Sequence, residues 1–203
     1  MFVPVGSLVN AAAIAAGGLL GIFWGSRLSS GLRTAVFHAL GLCLVIIGLQ
    51  MGLALERPLV LICSLLSGGL LGAACDLDRW FYLGGERLKA LLRSGNSRFS
   101  EGFVNGTALF LIGSMAVIGP LDEGLTGDAS VLFTKSVLDL FFAVALAAAF
   151  GNGVILAALP ILLVEGLLTL LAGSLQPLLT AAVITDIKSV GGALILGVAL
   201  NTL

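Results

Sequence analysis

Three ionisable residues lie inside long apolar stretches of this sequence. Lys135 and Asp139 are four residues apart, so on a helix they share one face and can pair. Glu165 lies in the middle of another apolar stretch, and Pro160 is expected to kink the helix that carries it. If these stretches cross a membrane, each charge costs about 3 kcal/mol or more at the bilayer centre. The chemistry that they indicate is the binding or passage of an ion or a small polar molecule.

The sequence leaves two interpretations of these charges open. Lys135 and Asp139 form either an internal ion pair with a structural role or a polar site that lines a pathway, to which Thr134 and Ser136 add hydroxyl groups. Glu165 is either protonated, paired with Lys135, or exposed to a water-filled cavity. We expect Glu165 to face the protein interior, because a carboxylate among lipid tails gains no compensating contact.

Uncharged polar residues in the same apolar stretches are further candidates. Asn105 stands out because its neighbour Gly106 lets another backbone come close. Hydrogen bonding between helices is the alternative role for all of them. The predicted pathway residues are Lys135, Asp139, Glu165, Asn105, Asn10, Ser136 and Thr107.

Motifs of established enzyme classes do not occur in the sequence. It has no HExxH motif, no Cys/His constellation and no GxxxxGK[ST] loop. Cys43, Cys63 and Cys75 show no CxxC spacing and are expected to act as small apolar residues. We therefore expect no catalytic residue, no metal ligand and no cofactor, and we expect that the protein is not an enzyme.

The composition indicates that membrane-spanning helices position these residues. Of the 203 residues, 59% are hydrophobic and 10% are charged, whereas a soluble domain carries about 25% charged residues. The predicted fold is all-α, a polytopic transmembrane helix bundle that forms a single domain over residues 1–203. Apolar runs of about 20 residues predict about seven helices, at roughly 6–25, 34–55, 58–76, 102–120, 129–150, 153–175 and from 178 to the last residue. The seventh either begins well before Asp186 or lacks its natural end.

The polar stretch 77–100 between the third and fourth predicted helices carries an amphipathic pattern. Trp80, Leu88 and Leu91 are among the apolar residues that recur there at helical spacing, and charged residues take the other positions. The pattern predicts an amphipathic helix on the membrane surface, which contacts lipid headgroups. Docking of a partner protein through residues 77–98 is the alternative.

The distribution of Lys and Arg predicts the orientation in the membrane. The 77–100 loop carries five basic residues, and Arg27 and Arg33 lie in another loop on the same predicted side. Because cytoplasmic loops are enriched in Lys and Arg, we expect this side to be cytoplasmic and the N-terminus to be outside. The acidic loop predicted at 121–128 then faces outward. The formal net charge of -1 gives no reason to expect a nucleic-acid partner.

One pentapeptide occurs twice. Gly17-Gly18-Leu19-Leu20-Gly21 in the first predicted helix recurs as Gly68-Gly69-Leu70-Leu71-Gly72 in the third. The match is either chance in a chain rich in Gly and Leu or the trace of an internal repeat, as occurs in transporters.

Six motifs follow one another along the chain. They are Gly6-Ser7-Leu8-Val9-Asn10, Glu101-Gly102-Phe103-Val104-Asn105-Gly106-Thr107-Ala108, Ile112-Gly113-Ser114-Met115-Ala116-Val117-Ile118-Gly119, Lys135-Ser136-Val137-Leu138-Asp139, Gly151-Asn152-Gly153-Val154 and Gly166-Leu167-Leu168-Thr169-Leu170-Leu171-Ala172. Their order resembles a family of bacterial integral-membrane proteins known as domain of unknown function 554. The resemblance implies an inner-membrane protein of six to eight helices and supplies no activity. The family usually has Gln at the position of Glu165, and its members continue with a further hydrophobic segment after the seventh helix.

The function predicted from these features is a small secondary transporter or channel for an ion or small polar metabolite. A helix bundle of this size is narrow, so a central pathway favours a homodimer. The alternative is a structural or regulatory membrane subunit that docks a partner through residues 77–98. An intramembrane enzyme is the least favoured hypothesis.

Overall fold

The computed structural model describes residues 4–25, 29–112 and 115–202, and within these ranges every regular element is a helix. The predicted all-α fold is therefore confirmed. A single 3-10 turn, Gln176–Leu178, precedes the last helix. The ten α-helices are α1 Val5–Gly25, α2 Ser30–Gly52, α3 Pro58–Ala74, α4 Leu77–Leu91, α5 Phe99–Leu111, α6 Met115–Thr126, α7 Ser130–Phe150, α8 Gly153–Leu156, α9 Ala158–Leu175 and α10 Ala181–Thr202.

Several of these helices are long and apolar enough to cross a membrane. Four candidate spans lie in α1, in α7, in α8 with α9, and in α10. The count rises to six if the bent pairs α3–α4 and α5–α6 each form one span, and α2 contributes a shorter apolar segment, Gly41–Gly52. The chain is thus a multi-pass membrane protein, and the predicted number of seven spans is not confirmed.

The helix predicted at 102–120 is broken, which corrects the sequence prediction. Its two parts, α5 and α6, meet at an angle of 59°. Ile112 has an extended backbone, with ψ near 118°, and this conformation ends α5. Gly113 and Ser114, which separate the two helices, lie outside the described residues.

The acidic loop predicted at 121–128 is shorter than expected. Asp122 and Glu123 belong to α6, which continues through Pro120 to Thr126. A short turn follows, in which Gly127 has a positive φ of 81° and the Ser130 backbone N–H donates to Asp128 Oδ1 over 2.9 Å. This hydrogen bond holds the pKa of the exposed Asp128 below its usual value.

Close contacts through glycine join α1 to α7. A Cβ atom added at Gly17 would overlap the backbone carbonyl oxygen of Leu140, and one at Gly21 would overlap that of Val144. Small residues let two helix backbones approach in this way. Because Gly6 lies against Leu132 and Gly21 against Val144, the two helices run parallel.

The remaining helices surround this pair. Gly18 lies against Ile155 and Gly166 near Pro4, so α9 runs antiparallel to α1. Helices α2 and α10 cross where Gly192 approaches the backbone of Gly48 and Gly52. We call the end of the bundle where α1 and α7 begin the Val5 end, and the opposite end the Gly25 end.

The predicted amphipathic segment forms α4, which ends at Leu91. The helix runs through Gly84 and Gly85, and Gly85 packs against Ser100 of α5. Trp80, which is 68% exposed, and Tyr82 point away from the bundle. The segment therefore presents aromatic side chains to its surroundings.

Candidate functional site

Lys135 and Asp139 form an ion pair inside the bundle. They lie one turn apart on α7, and only 5% of Lys135 and 6% of Asp139 are exposed. The Lys135 ammonium group donates a hydrogen bond to Asp139 Oδ2. The four-residue spacing therefore does place both side chains on one buried helix face.

Glu165 joins this pair from α9. Its side chain is fully buried, and its Oε1 atom lies 3.4 Å from Lys135 Nζ. The Asn10 amide of α1 donates to both Glu165 carboxylate oxygens, over 3.1 Å in each case. We call Asn10, Lys135, Asp139 and Glu165 the charge cluster. Of the alternatives left open for Glu165, the structure shows the pairing with Lys135.

The helix directions explain why the charge cluster assembles at one level. Asn10 lies five residues after the start of α1, and Lys135 lies five residues after the start of α7. At a rise of 1.5 Å per residue, both lie about 7 Å from the Val5 end. Because α1 and α7 run parallel and closely packed, the two side chains come together on the face that α9 covers.

Glu123 is a second buried carboxylate near the Val5 end, and the sequence prediction did not include it among the site residues. It is 3% exposed, and its Oε1 accepts a hydrogen bond from the Gly6 backbone N–H over 2.6 Å. The Thr169 hydroxyl lies 3.4 Å from its other oxygen. Gly6 lies in the first turn of α1, whose N–H groups have no partner within the helix and attract negative charge.

The other predicted site residues lie apart from the charge cluster. Ser136 is buried, but its hydroxyl donates to the Leu132 carbonyl one turn earlier, over 2.7 Å. Thr107 is buried on α5, and no hydrogen-bond partner is present for its hydroxyl in the part of the chain that the structure describes. Asn105 is exposed on α5, so the structure does not bring it to the cluster. Its neighbour Gly106 packs against Ala157 instead.

A cavity of about 460 Å³ adjoins the ion pair. Its wall includes Lys135 and Asp139, and it also includes Ile112 and Met115, which flank the break between α5 and α6. The cavity is mainly apolar, and Gln50 and Lys188 are its other polar wall residues. A volume of this size suits an ion with its water or a small polar molecule.

The Gly25 end is held by a network of neutral hydrogen bonds. The Asn96 side-chain amide donates to the Phe150 carbonyl over 2.8 Å and to Asn152 Oδ1 over 3.0 Å. The Asn152 amide donates to the Ser94 hydroxyl over 3.1 Å. These contacts tie the segment before α5 to the tight connection after α7. These hydrogen bonds therefore hold the helices together at the Gly25 end, whereas the cavity lies nearer the Val5 end.

The described residues do not place three or more His, Cys, Asp or Glu side chains where they could hold a metal ion. Cys43, Cys63 and Cys75 are exposed and free. The polar atoms of the charge cluster are the carboxylate and amide oxygens, the Asn10 amide nitrogen and the Lys135 ammonium nitrogen.

Comparison with known proteins agrees with this architecture. The chain is 29% identical to the uncharacterised protein YqgA of Escherichia coli K12, over 97% of this chain and 86% of that protein. It is 30% identical to the uncharacterised membrane protein YdfK of Bacillus subtilis 168, over 98% of this chain and 86% of that protein. No solved structure matches the chain at a significant level. Residues 5–203 match the family described as "Protein of unknown function (DUF554)", and the chain therefore belongs to that family.

Proposed function

We propose that the protein is a small secondary transporter or channel for an ion or small polar metabolite in the bacterial inner membrane. The observation that supports it is the buried Lys135–Asp139 pair in the wall of a cavity that also reaches the break between α5 and α6. Ionisable residues inside membrane spans are costly and typically mark substrate or ion pathways.

The broken helix supports transport for a second reason. Discontinuous helices are typical of transporter binding sites, because their half-helix ends carry partial charges and free backbone groups. Helix α5 ends at Leu111 with its carbonyl groups unpaired by the helix, and α6 begins at Met115. Ile112 and Met115 both line the cavity. The break therefore lies where a solute in the cavity could contact it.

A purely structural role explains these features less well. Replacing a buried ion pair by well-packed apolar residues is often neutral or stabilising, so a fold does not need such a pair for stability. A structural pair also needs no cavity beside it. The single chain leaves α3 without any buried side chain among its described residues, and a homodimer that covers part of α3 is the assembly we propose.

The test of this function is flux through proteoliposomes, measured as current on a solid-supported membrane. Sodium, potassium, chloride, phosphate and a mixture of neutral amino acids would be offered separately as probes. We expect a current with at least one probe, and we expect the double variant Lys135→Met/Asp139→Leu to reduce it at least about tenfold, because the polar wall is lost. The purified double variant should remain folded.

A matched control is available on the surface of α4. Lys89 and Glu86 form a partly exposed pair at 3.8 Å, three residues apart, and neither is a wall residue of the cavity. The variant Lys89→Met/Glu86→Gln removes the same two charges, keeps an acceptor for the Ser100 hydroxyl and should keep the current. If the Lys135/Asp139 variant carries the same current as the wild type, the charge cluster has no role in transport.

The proposed orientation places the N-terminus outside and the 77–100 segment in the cytoplasm. In a variant in which Cys43, Cys63 and Cys75 are replaced by alanine, a cysteine at Gly95 should resist a membrane-impermeant maleimide in intact cells. A cysteine at Glu56, in the loop on the other side, should react. The reverse labelling pattern would show that the N-terminus is inside.

The second candidate function is a structural or regulatory subunit that binds a partner through α4. Trp80, Tyr82 and Leu91 are exposed there, and they could contact either a partner or the membrane surface. The flux measurement separates the two functions. A wild-type protein that is folded and correctly oriented, yet passes none of the probes, would favour the subunit.

A further inference from the structure

We propose that the charge cluster binds one sodium ion next to the Lys135 ammonium group, with carboxylate oxygens of Asp139 and Glu165 and the amide oxygen of Asn10 as its ligands. We further propose that this ion is coupled to solute movement, a part that rests on the proposed function. The two parts are tested separately below.

The first argument is the charge balance among the described side chains of the cluster. Lys135 is the one cation, and it contacts both Asp139 and Glu165. With all three groups ionised, the cluster has one negative charge too many, and a buried charge without a partner is strongly unfavourable. Lys188 lines the same cavity, but among the described contacts it forms no ion pair with Asp139 or Glu165.

The excess charge is not shared by Glu123. That carboxylate accepts the Gly6 N–H at the start of α1, so the positive end of a helix dipole compensates it. The imbalance is therefore confined to the Asp139–Glu165 pair around Lys135.

The groups around Glu165 suit an ionised carboxylate, whose charge a metal cation would balance. Both oxygens of Glu165 accept hydrogen bonds from Asn10, and Oε1 also faces the Lys135 ammonium group. N–H groups that point at both oxygens stabilise the charged form of a carboxyl group.

Asn10 supplies the second, independent observation. The residue is fully buried, and its Oδ1 atom has no hydrogen-bond partner, although its nitrogen is engaged by Glu165. The Asn10 side chain also interacts with the Asp139 carboxylate, so it lies between the two acids. A buried carbonyl oxygen without a hydrogen-bond partner destabilises the fold, and a cation beside it would remove that cost.

The donor set selects the class of ion. Carboxylate and amide oxygens are hard ligands, which excludes metals that prefer sulfur or imidazole. Calcium needs six to eight oxygens, and magnesium requires strict octahedral geometry and dehydrates reluctantly. With two carboxylates that both contact the Lys135 ammonium group, the cluster can compensate one further positive charge. Sodium fits this charge and these ligands.

Binding can be measured without any transport. We expect the Tm of the purified wild-type protein in detergent to rise by about 5 °C between 1 and 150 mM NaCl, with choline chloride keeping the ionic strength constant. Retention of ²²Na⁺ should saturate near one ion per chain. The variant Glu165→Gln keeps the shape of the side chain but removes its charge, and it should weaken sodium binding at least about tenfold. Glu101→Gln removes an exposed carboxylate and should change nothing.

Two results would overturn the sodium site. Equal Tm values in NaCl and choline chloride, with no retained ²²Na⁺, would show that the wild type binds no sodium. Unchanged ²²Na⁺ binding by Glu165→Gln would place the ion elsewhere. If Glu165→Gln does not fold, Asn10→Ala takes its place in the same assay, and the wild-type measurements stand on their own.

The coupling is tested in proteoliposomes with a probe other than sodium that gives current. Current that collapses at least about tenfold when choline replaces sodium supports coupling. Current that persists in choline rejects coupling and leaves the transporter proposal intact. Sodium binding without current from any probe rejects transport and leaves the site intact.

Discussion

Replacing Lys135 with methionine is expected to lower the free energy of unfolding by about 3–5 kcal/mol, the usual cost of removing one partner from a buried ion pair. The ammonium group contacts Asp139 and Glu165, so its loss leaves two buried carboxylates without a cation. Methionine has nearly the same length and fills the same space, so packing contributes little. Unfolding by increasing SDS in mixed micelles measures the change.

The same experiment contains its controls. Lys89→Met removes an ammonium group from a partly exposed pair with Glu86 and should cost less than about 1 kcal/mol. The double variant Lys135→Met/Asp139→Leu should be more stable than Lys135→Met. It lacks one of the two buried carboxylates that Lys135→Met leaves without a cation. A loss below about 1 kcal/mol for Lys135→Met would show that the two carboxylates are already neutral or hydrated.

The charge cluster shows which parts of a site a sequence can predict. The spacing of Lys135 and Asp139 predicted a shared face, because helical periodicity is local. The contact with Glu165 depends on how α9 packs against α7, and sequence spacing carries no such information. The same is true of Asn10. Its role depends on the close approach of α1 to α7, which the glycines permit but do not specify.

Three differences between the sequence prediction and the structure have local physical causes. Glu123 was assigned to an acidic loop because the predicted helix ended near residue 120, yet α6 continues to Thr126 and Glu123 accepts the Gly6 N–H at the start of α1. The break after Ile112 was missed because the apolar run continues through it. Asn105 was favoured for its neighbour Gly106, but the glycine and the asparagine lie on different faces of α5: Gly106 is buried and Asn105 is exposed.

The repeated pentapeptide shows most directly that identical sequence need not pack identically. In α1, Gly17 and Gly21 lie against the α7 backbone. In α3, the corresponding Gly68 has no atom within 4 Å of the Cβ position in the single chain. The two copies of the pentapeptide therefore have different neighbours in the structure. Substitutions at matching glycines in α1 and α3 can be compared directly.

Valine at Gly21 is expected to destabilise the bundle by about 1–3 kcal/mol, and the double variant Gly17→Val/Gly21→Val by more. The reason is that each added Cβ atom would overlap a backbone carbonyl oxygen of α7, at Val144 for Gly21, and a backbone cannot rotate away as a side chain can. Helices α1 and α7 would have to separate, which would also draw Asn10 away from Glu165. Unfolding in SDS and the ²²Na⁺ assay should therefore both report the change.

The control substitutions lie in the other copy of the pentapeptide. Gly68→Val and Gly69→Val alter the same local sequence, but no atom lies within 4 Å of either added Cβ position. Surface substitutions without contacts usually change stability by less than about 0.5 kcal/mol, and valine at these sites should do the same in a single chain. Equal losses from the α1 and α3 variants would contradict the packing described for α1 and α7. Losses at α3 that appear only at high protein concentration would instead identify α3 as the interface of the proposed homodimer, since only an assembled α3 offers a surface for valine to disturb.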